Sequence, residues 1–268
     1  MKLEFENITI YLELNKGYNI GMSKITFKNP PITEALLDIR VNLDPGFDVK
    51  KLEELQKHIH EDFSVKQVNT KLEASFVHKP GESLVTTAKN TPNGYIFKTS
   101  DSKKIVQARM DGFTFNRLRP YDSWSSFEKE GEKLWNSYLA IAKPLNITRV
   151  ALRYINLIEI PLPMSDFKDY ILTIPEIAKG VPQGLSEFFM RLVIPDEKRE
   201  NTAIVTETIE LSKLSGKKFP LVFDIDVFRT VDLKPQDQEL WKIFNSLRDY
   251  KNCIFMNSIT DKTKQLFS

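Results

Sequence analysis

Cysteine is nearly absent from this chain. Cys253 stands alone among 268 residues, so no disulfide can close within the chain and a Cys-rich zinc site is excluded. Histidine is scarce too: His58, His60 and His78 leave few options for a His-based metal centre. No run approaches the roughly 18 consecutive apolar residues of a membrane helix. The N-terminal stretch carries Glu4, Glu6 and Glu13 and lacks the basic start and apolar core of a signal peptide; a cytoplasmic protein without membrane association is expected. The short signatures G-x-G-x-x-G, the Walker P-loop, G-x-S-x-G and H-E-x-x-H are missing, which weakens dinucleotide-binding, NTPase, α/β-hydrolase and zinc-protease assignments. Charge of one sign is missing as well. Lys and Arg number 38 against 36 Asp and Glu, a formal charge of +2, which excludes a polycationic coat and an acidic tail but not a local basic groove.

What is present suits a folded globular chain. Hydrophobic residues make up 41% and charged residues 28%, with 18 Phe, 8 Tyr and 3 Trp to fill a core. Ile32 to Leu43 reads as a strand. Asp48 to Phe63 reads as a helix with Val49, Leu52, Leu55, Ile59 and Phe63 on one face. Four or five strands are expected between Thr70 and Leu118, with Asn93-Gly94 as a tight hairpin. A second helix spans about Ser123 to Ala142, capped by Asp122 or Ser123 and stopped by Pro144. A long strand follows at Ile147 to Ile160, then strands near Glu187–Ile194, Ala203–Leu211 and Leu221–Val231. A third helix follows Pro235, which is placed in its first turn, and turns Leu240, Phe244, Leu247 and Tyr250 inward. A short strand, Cys253 to Met256, and a last helical turn end the chain.

Strands that follow one another without intervening helices predict an α+β fold with largely antiparallel sheets, three long helices and two lobes. The expected organisation is an extension over residues 1–21, an N-terminal lobe over 22–160 and a C-terminal lobe over 161–268. The stretch Pro161 to Gly184 is the expected hinge. The first 21 residues, ahead of Met22, read either as an extra edge strand or as an artefact of the assigned translation start.

Few residues offer chemistry. His58, His60, Glu61 and Asp62 cluster on a helix, but His58 and His60 point in different directions, so this is expected to be a solvated face. His78 stands alone before a Pro-Gly turn. Asp224 and Asp226 project from one strand face about 7 Å apart; such a pair can hold a divalent cation, or can simply be the polar side of a half-buried strand. Arg149 and Arg153 share a strand face roughly 13 Å apart, with Ala151 between them. They can grip phosphates or pair with carboxylates across the sheet or at a subunit interface. Arg109, Arg117 and Arg119 with Lys103 and Lys104 gather positive charge near Phe113, Phe115 and Tyr121. Lys213, Lys217 and Lys218 form a second basic loop. Basic residues beside aromatics suit a nucleic-acid groove and equally suit an amphipathic strand pair. Cys253 is expected to be a buried, inert thiol. No catalytic residue and no cofactor is assigned.

Several segments taken together resemble a sporadically distributed, functionally uncharacterised prokaryotic family of about 250 residues. They are Asn29-Pro-Pro-Ile-Thr-Glu-Ala35, Arg117-Leu-Arg-Pro-Tyr-Asp-Ser-Trp124 with Phe127, Arg149-Val-Ala-Leu-Arg-Tyr-Ile-Asn156 with Ile160-Pro161, Phe223-Asp-Ile-Asp226, and Ile254-Phe255 with Ile259-Thr-Asp-Lys262 and Phe267. The resemblance covers about Ile25 to Phe267 and supplies no catalytic residues. Its patchy distribution implies horizontal transfer, antiviral defence or another conflict system, and a partner protein encoded nearby. One version is a subunit that completes a short Argonaute and holds guide or target nucleic acid. The resulting expectation is a non-catalytic subunit that docks a protein partner and contacts nucleic-acid phosphates. The alternatives are a metal-dependent phosphohydrolase or nucleotidyl-processing enzyme using Asp224 and Asp226, and an antitoxin or immunity-type protein acting by occlusion.

Overall fold

The computed structural model describes residues 27–77 and 85–268; the stretch over residues 1–21 and His78 lie outside them. Among the described residues nine strands form one sheet. They are β1 (Ile32–Asn42), β2 (Val65–Val77), β3 (Val85–Lys98), β4 (Lys104–Arg109), β5 (Gly112–Leu118), β6 (Asn146–Pro161), β7 (Phe189–Asp196), β8 (Asn201–Ile209) and β9 (Lys218–Leu233). The order is β2-β3-β4-β5-β1-β6-β9-β8-β7, antiparallel throughout. The fold is α+β. The strands before and after Pro161 belong to the same sheet, because β6 pairs with β9 from Ile147↔Leu233 to Pro161↔Lys218.

The helices are α1 (Leu55–Ile59), α2 (Trp124–Ala142), α3 (Glu239–Ser258) and α4 (Asp261–Gln265). They lie on one face of the sheet, where alternation turns the apolar residues inward. In β1 that face is Ala35, Leu37, Ile39 and Val41, all buried. On α2, Phe127 stacks on Phe115, and Trp135 and Tyr138 pack on Phe113. The helix lies close because residue 131 is glycine: a Cβ there would come within 2.3 Å of the Leu37 side chain. Ser123 caps α2, its hydroxyl accepting the Ser126 N–H at 3.2 Å.

Four local expectations are corrected. The helix read over Asp48 to Phe63 begins as a 3-10 turn, Val49–Glu54, and only then becomes α1; Leu52, Leu55, Ile59 and Phe63 are still buried as their spacing requires. Asn93-Gly94 is not a hairpin but part of β3. Gly94 faces Asn69 while Pro92 faces Thr70, so Asn93 is the extra residue of a bulge. Gly94 has φ +146°, and a Cβ there would sit 2.0 Å from the Ala108 carbonyl oxygen, so no side chain fits. Pro235 precedes α3 instead of opening it. Cys253 to Met256 is not a strand: α3 runs through it, because Phe255 continues the inward stripe of Leu247 and Tyr250 and stacks on Phe223 at 5.8 Å. Cys253 is buried on this helix, and burial raises its thiol pKa.

One buried group is out of keeping with its surroundings. Glu207 turns into the core from β8, in register with Phe223 and Met190. It is fully buried, and neither carboxyl oxygen has a hydrogen-bond partner. Burial pushes its pKa up to about 8 from the ordinary glutamate value of 4.5. The folded state therefore holds a proton that the unfolded state releases between those values, and stability falls as pH rises through that window. Glu207→Gln is expected to remove this slope. Urea denaturation should show the variant more stable than the parent by roughly 3–5 kcal/mol at pH 8, with the gap closing towards pH 4.5.

Candidate functional site

The helix-free face of the sheet carries a charged lattice. Alternation that buries Leu37 and Ile39 turns Asp38 and Arg40 the other way, and register lines up their neighbours. Asp38 lies beside Thr114 of β5 and Ala151 of β6; Arg40 lies beside Arg149. Arg153 lies beside Asp226 of β9. The Asp38 carboxylate accepts from Arg109 at 2.7 Å, Thr114 at 2.9 Å and Arg40 at 2.9 Å, and Arg149 stands 3.7 Å away. Arg149 also reaches Asp226 at 3.6 Å and lies over the Phe228 ring at 4.4 Å. Arg153 donates through Nε to Asp224 at 2.9 Å. Arg109 and Arg40 both pair with Asp111. Four arginines thus interleave with four aspartates.

Arg149 and Arg153 show one of the two uses open to them, pairing within the sheet. Both are paired with carboxylates across the sheet. The hydrogen bond to Asp224 raises the Arg153 pKa, and burial raises that of Asp226 even with Arg149 and Arg153 beside it. Asp224 and Asp226 meet two guanidinium groups where a metal site would offer further oxygen ligands. Among the described residues no three His, Cys, Asp or Glu side chains are placed to hold a metal ion. His60 is exposed, its Nδ1 3.2 Å from the Lys57 carbonyl oxygen.

The basic stretch before residue 120 is dispersed by the fold. Arg109 belongs to the lattice. Lys104 points to the helix side and pairs with Glu130 at 2.6 Å. Arg117 pairs with Asp122 at 3.0 Å and donates to Ser126 at 3.1 Å. Lys103 is exposed in the β3–β4 turn, 3.9 Å from Asp101. Lys213 and Lys217 are exposed in the β8–β9 connection. Among the described residues these side chains form no continuous basic face.

Arg119 and Lys218, far apart in sequence, do come together. They line a cleft of about 590 Å³ with Lys28, where five segments meet. Backbone hydrogen bonds fix those segments: Arg119 N–H to Thr33 O at 3.0 Å, Leu157 N–H to Pro31 O at 2.9 Å and Asn29 N–H to Phe267 O at 2.9 Å. Pro30, Pro31, Pro120 and Pro161 stiffen the walls, and Tyr121, Leu157 and Leu266 supply apolar surface. The Tyr121 hydroxyl bonds the Tyr154 hydroxyl at 2.8 Å, and burial pushes the Tyr121 pKa up to about 12. Lys218 pairs with Glu159 at 3.1 Å. Lys28 and Arg119 are exposed and have no acidic partner among the described residues. The cleft therefore keeps a positive surplus beside an apolar wall.

Sequence spacing brought out Arg119 and Lys218 but neither their meeting nor the part of Lys28 and Glu159, since no local pattern joins residues from five segments. Asn29, Arg119, Pro161 and Phe267 converge on this cleft. In comparison with known proteins, no family model and no curated protein matches the chain. Among the described residues no helix is long and apolar enough to cross a membrane.

The lattice leads to a stability test. Asp38 and Arg109 are both buried, so removing one charge strands the other. Asp38→Asn is expected to lower unfolding stability by about 3 kcal/mol in urea titration. Arg119→Ala, on an exposed side chain, is expected to change it by less than about 0.5 kcal/mol.

Proposed function

We propose that this chain is a non-catalytic binding subunit of a prokaryotic defence or conflict system, which contacts nucleic-acid phosphates beside a partner protein. The observation that carries the phosphate contact is the surplus of Lys28 and Arg119 in a stiff-walled cleft. Guanidinium and ammonium groups without a carboxylate partner bind phosphate oxygens strongly, and Arg does so with two parallel hydrogen bonds. Contacts of this kind position a backbone without reading its sequence. The defence setting and the partner come from the family resemblance. The metal-dependent alternative gains no support from Asp224 and Asp226, whose carboxylates are engaged by Arg153 and Arg149.

Gel-shift titration across a salt series tests this, with the protein alone and with the product of its genomic neighbour. Binding is expected to weaken with salt, and Arg119→Ala is expected to reduce the slope of log affinity against log salt by about 0.7 for single strands. Arg149→Ala is expected to lower stability while leaving the affinity of the folded protein unchanged. Unaltered mobility in both settings at low salt would overturn the proposal, as would an Arg119→Ala variant with parental affinity and slope.

A further inference from the structure

The cleft's shape and the lattice's pairing together narrow the ligand. We infer that the cleft takes one nucleotide unit, either a free nucleotide or the end of a single strand, in preference to the flank of a duplex. The inference rests on the phosphate-binding function proposed above and specifies its ligand.

Three observations support it. The first is where cationic charge remains. A duplex presents phosphates at about one charge per 1.7 Å of axis, and a duplex-binding surface sets a row of cations along them. Here Arg109, Arg149 and Arg153 are tied to aspartates, and Lys104 and Arg117 to Glu130 and Asp122. The surplus of Lys28 and Arg119, with Lys218 beside them, is held at one cleft, which suits one phosphate group better than a row.

The second is concavity. A volume of about 590 Å³ falls in the range of small-molecule sites, and its walls come from the segment before β1, the turn after β5, the end of β6, the start of β9 and the C-terminal turn. A duplex keeps its bases stacked inside and offers such a cleft only its outer backbone. An unpaired nucleotide can enter with its base.

The third is the neighbouring apolar wall. Tyr121, Leu157 and Leu266 stand beside the cations. Unpaired bases gain affinity from aromatic and apolar surfaces. Tyr121 is held by its bond to Tyr154 at 2.8 Å and by an edge contact with Phe127 at 6.0 Å. With four prolines around it, the wall is formed before the ligand arrives, which lowers the ordering cost of binding.

Calorimetric titration of the full chain tests this with four probes: inorganic phosphate, a nucleoside monophosphate, a six-nucleotide single strand with a terminal phosphate, and the blunt duplex of that strand. The monophosphate and the single strand are expected to compete for one site. Each should bind at least about tenfold more tightly than the duplex or inorganic phosphate, and Arg119→Ala and Lys28→Ala should each weaken them about tenfold without shifting the melting temperature. Single-strand binding with no monophosphate binding would assign the strand end, and the converse would assign the free nucleotide. Duplex binding equal to single-strand binding, still dependent on Arg119, would overturn this inference and leave the phosphate-binding function standing. Inorganic phosphate binding as tightly as the monophosphate would remove the base contact and overturn it too. No binding of any probe would overturn both.

Discussion

Asp38 receives hydrogen bonds from Arg109 of β4, Thr114 of β5 and Arg40 of its own strand, and Arg149 carries the chain of charges on to Asp226 of β9. Five neighbouring strands are tied through these side chains on the face that no described helix covers. Buried ion pairs of this kind add little net stability, because desolvation offsets much of the attraction. What they do here is fix register. A strand's faces alternate, so a slip of one residue in β1 would drive Asp38 and Arg40 into the packed core and turn Leu37 and Ile39 outward. Any odd slip would invert both faces, and the positions of the strand ends, where the cleft forms, follow from the register.

The lattice also distributes charge. A chain with nearly equal numbers of acids and bases can still present a local surplus where particular bases lack acidic neighbours. Arg109, Arg149 and Arg153 are consumed within the sheet and Arg117 at the start of α2. Lys28 and Arg119 lie beyond the strand ends, outside the reach of those carboxylates, with no acidic partner among the described residues. Their surroundings of proline and buried tyrosine hold them at the rim of a defined space instead of on a mobile loop.

Much of the architecture was legible along the chain because period and punctuation agreed there. The boundaries of β1, β6 and α2 follow from clean alternation or helical spacing with a capping serine, and the inward stripe of α3 from Leu240 to Tyr250 is equally plain. Asn93-Gly94 misled because a glycine can serve a bulge as well as a turn, and only the approach of the Ala108 carbonyl shows which. Cys253 to Met256 misled because four apolar residues are too few to separate a strand from the end of a helix. The two faces of β6 could be assigned, but not the partners of Arg149 and Arg153, which come from strands 71 residues further on and over a hundred residues earlier. The cleft was least legible of all, since it exists only where five distant segments are pinned together.

The place of β1 has a consequence for assembly. It is the first described strand in the chain, yet it sits between β5 and β6, so neither of its neighbours exists when it is made. β2 to β5 can close as a local meander, and β7, β8 and β9 as another, each with short loops. β1 must wait for β5 to cover one edge and, beyond α2, for β6 to cover the other, and only its insertion joins the two meanders into one sheet. Such long-range pairing carries the loop-closure cost that slows folding. The strand that organises the finished molecule is therefore the one most exposed to mispairing while the molecule is being made.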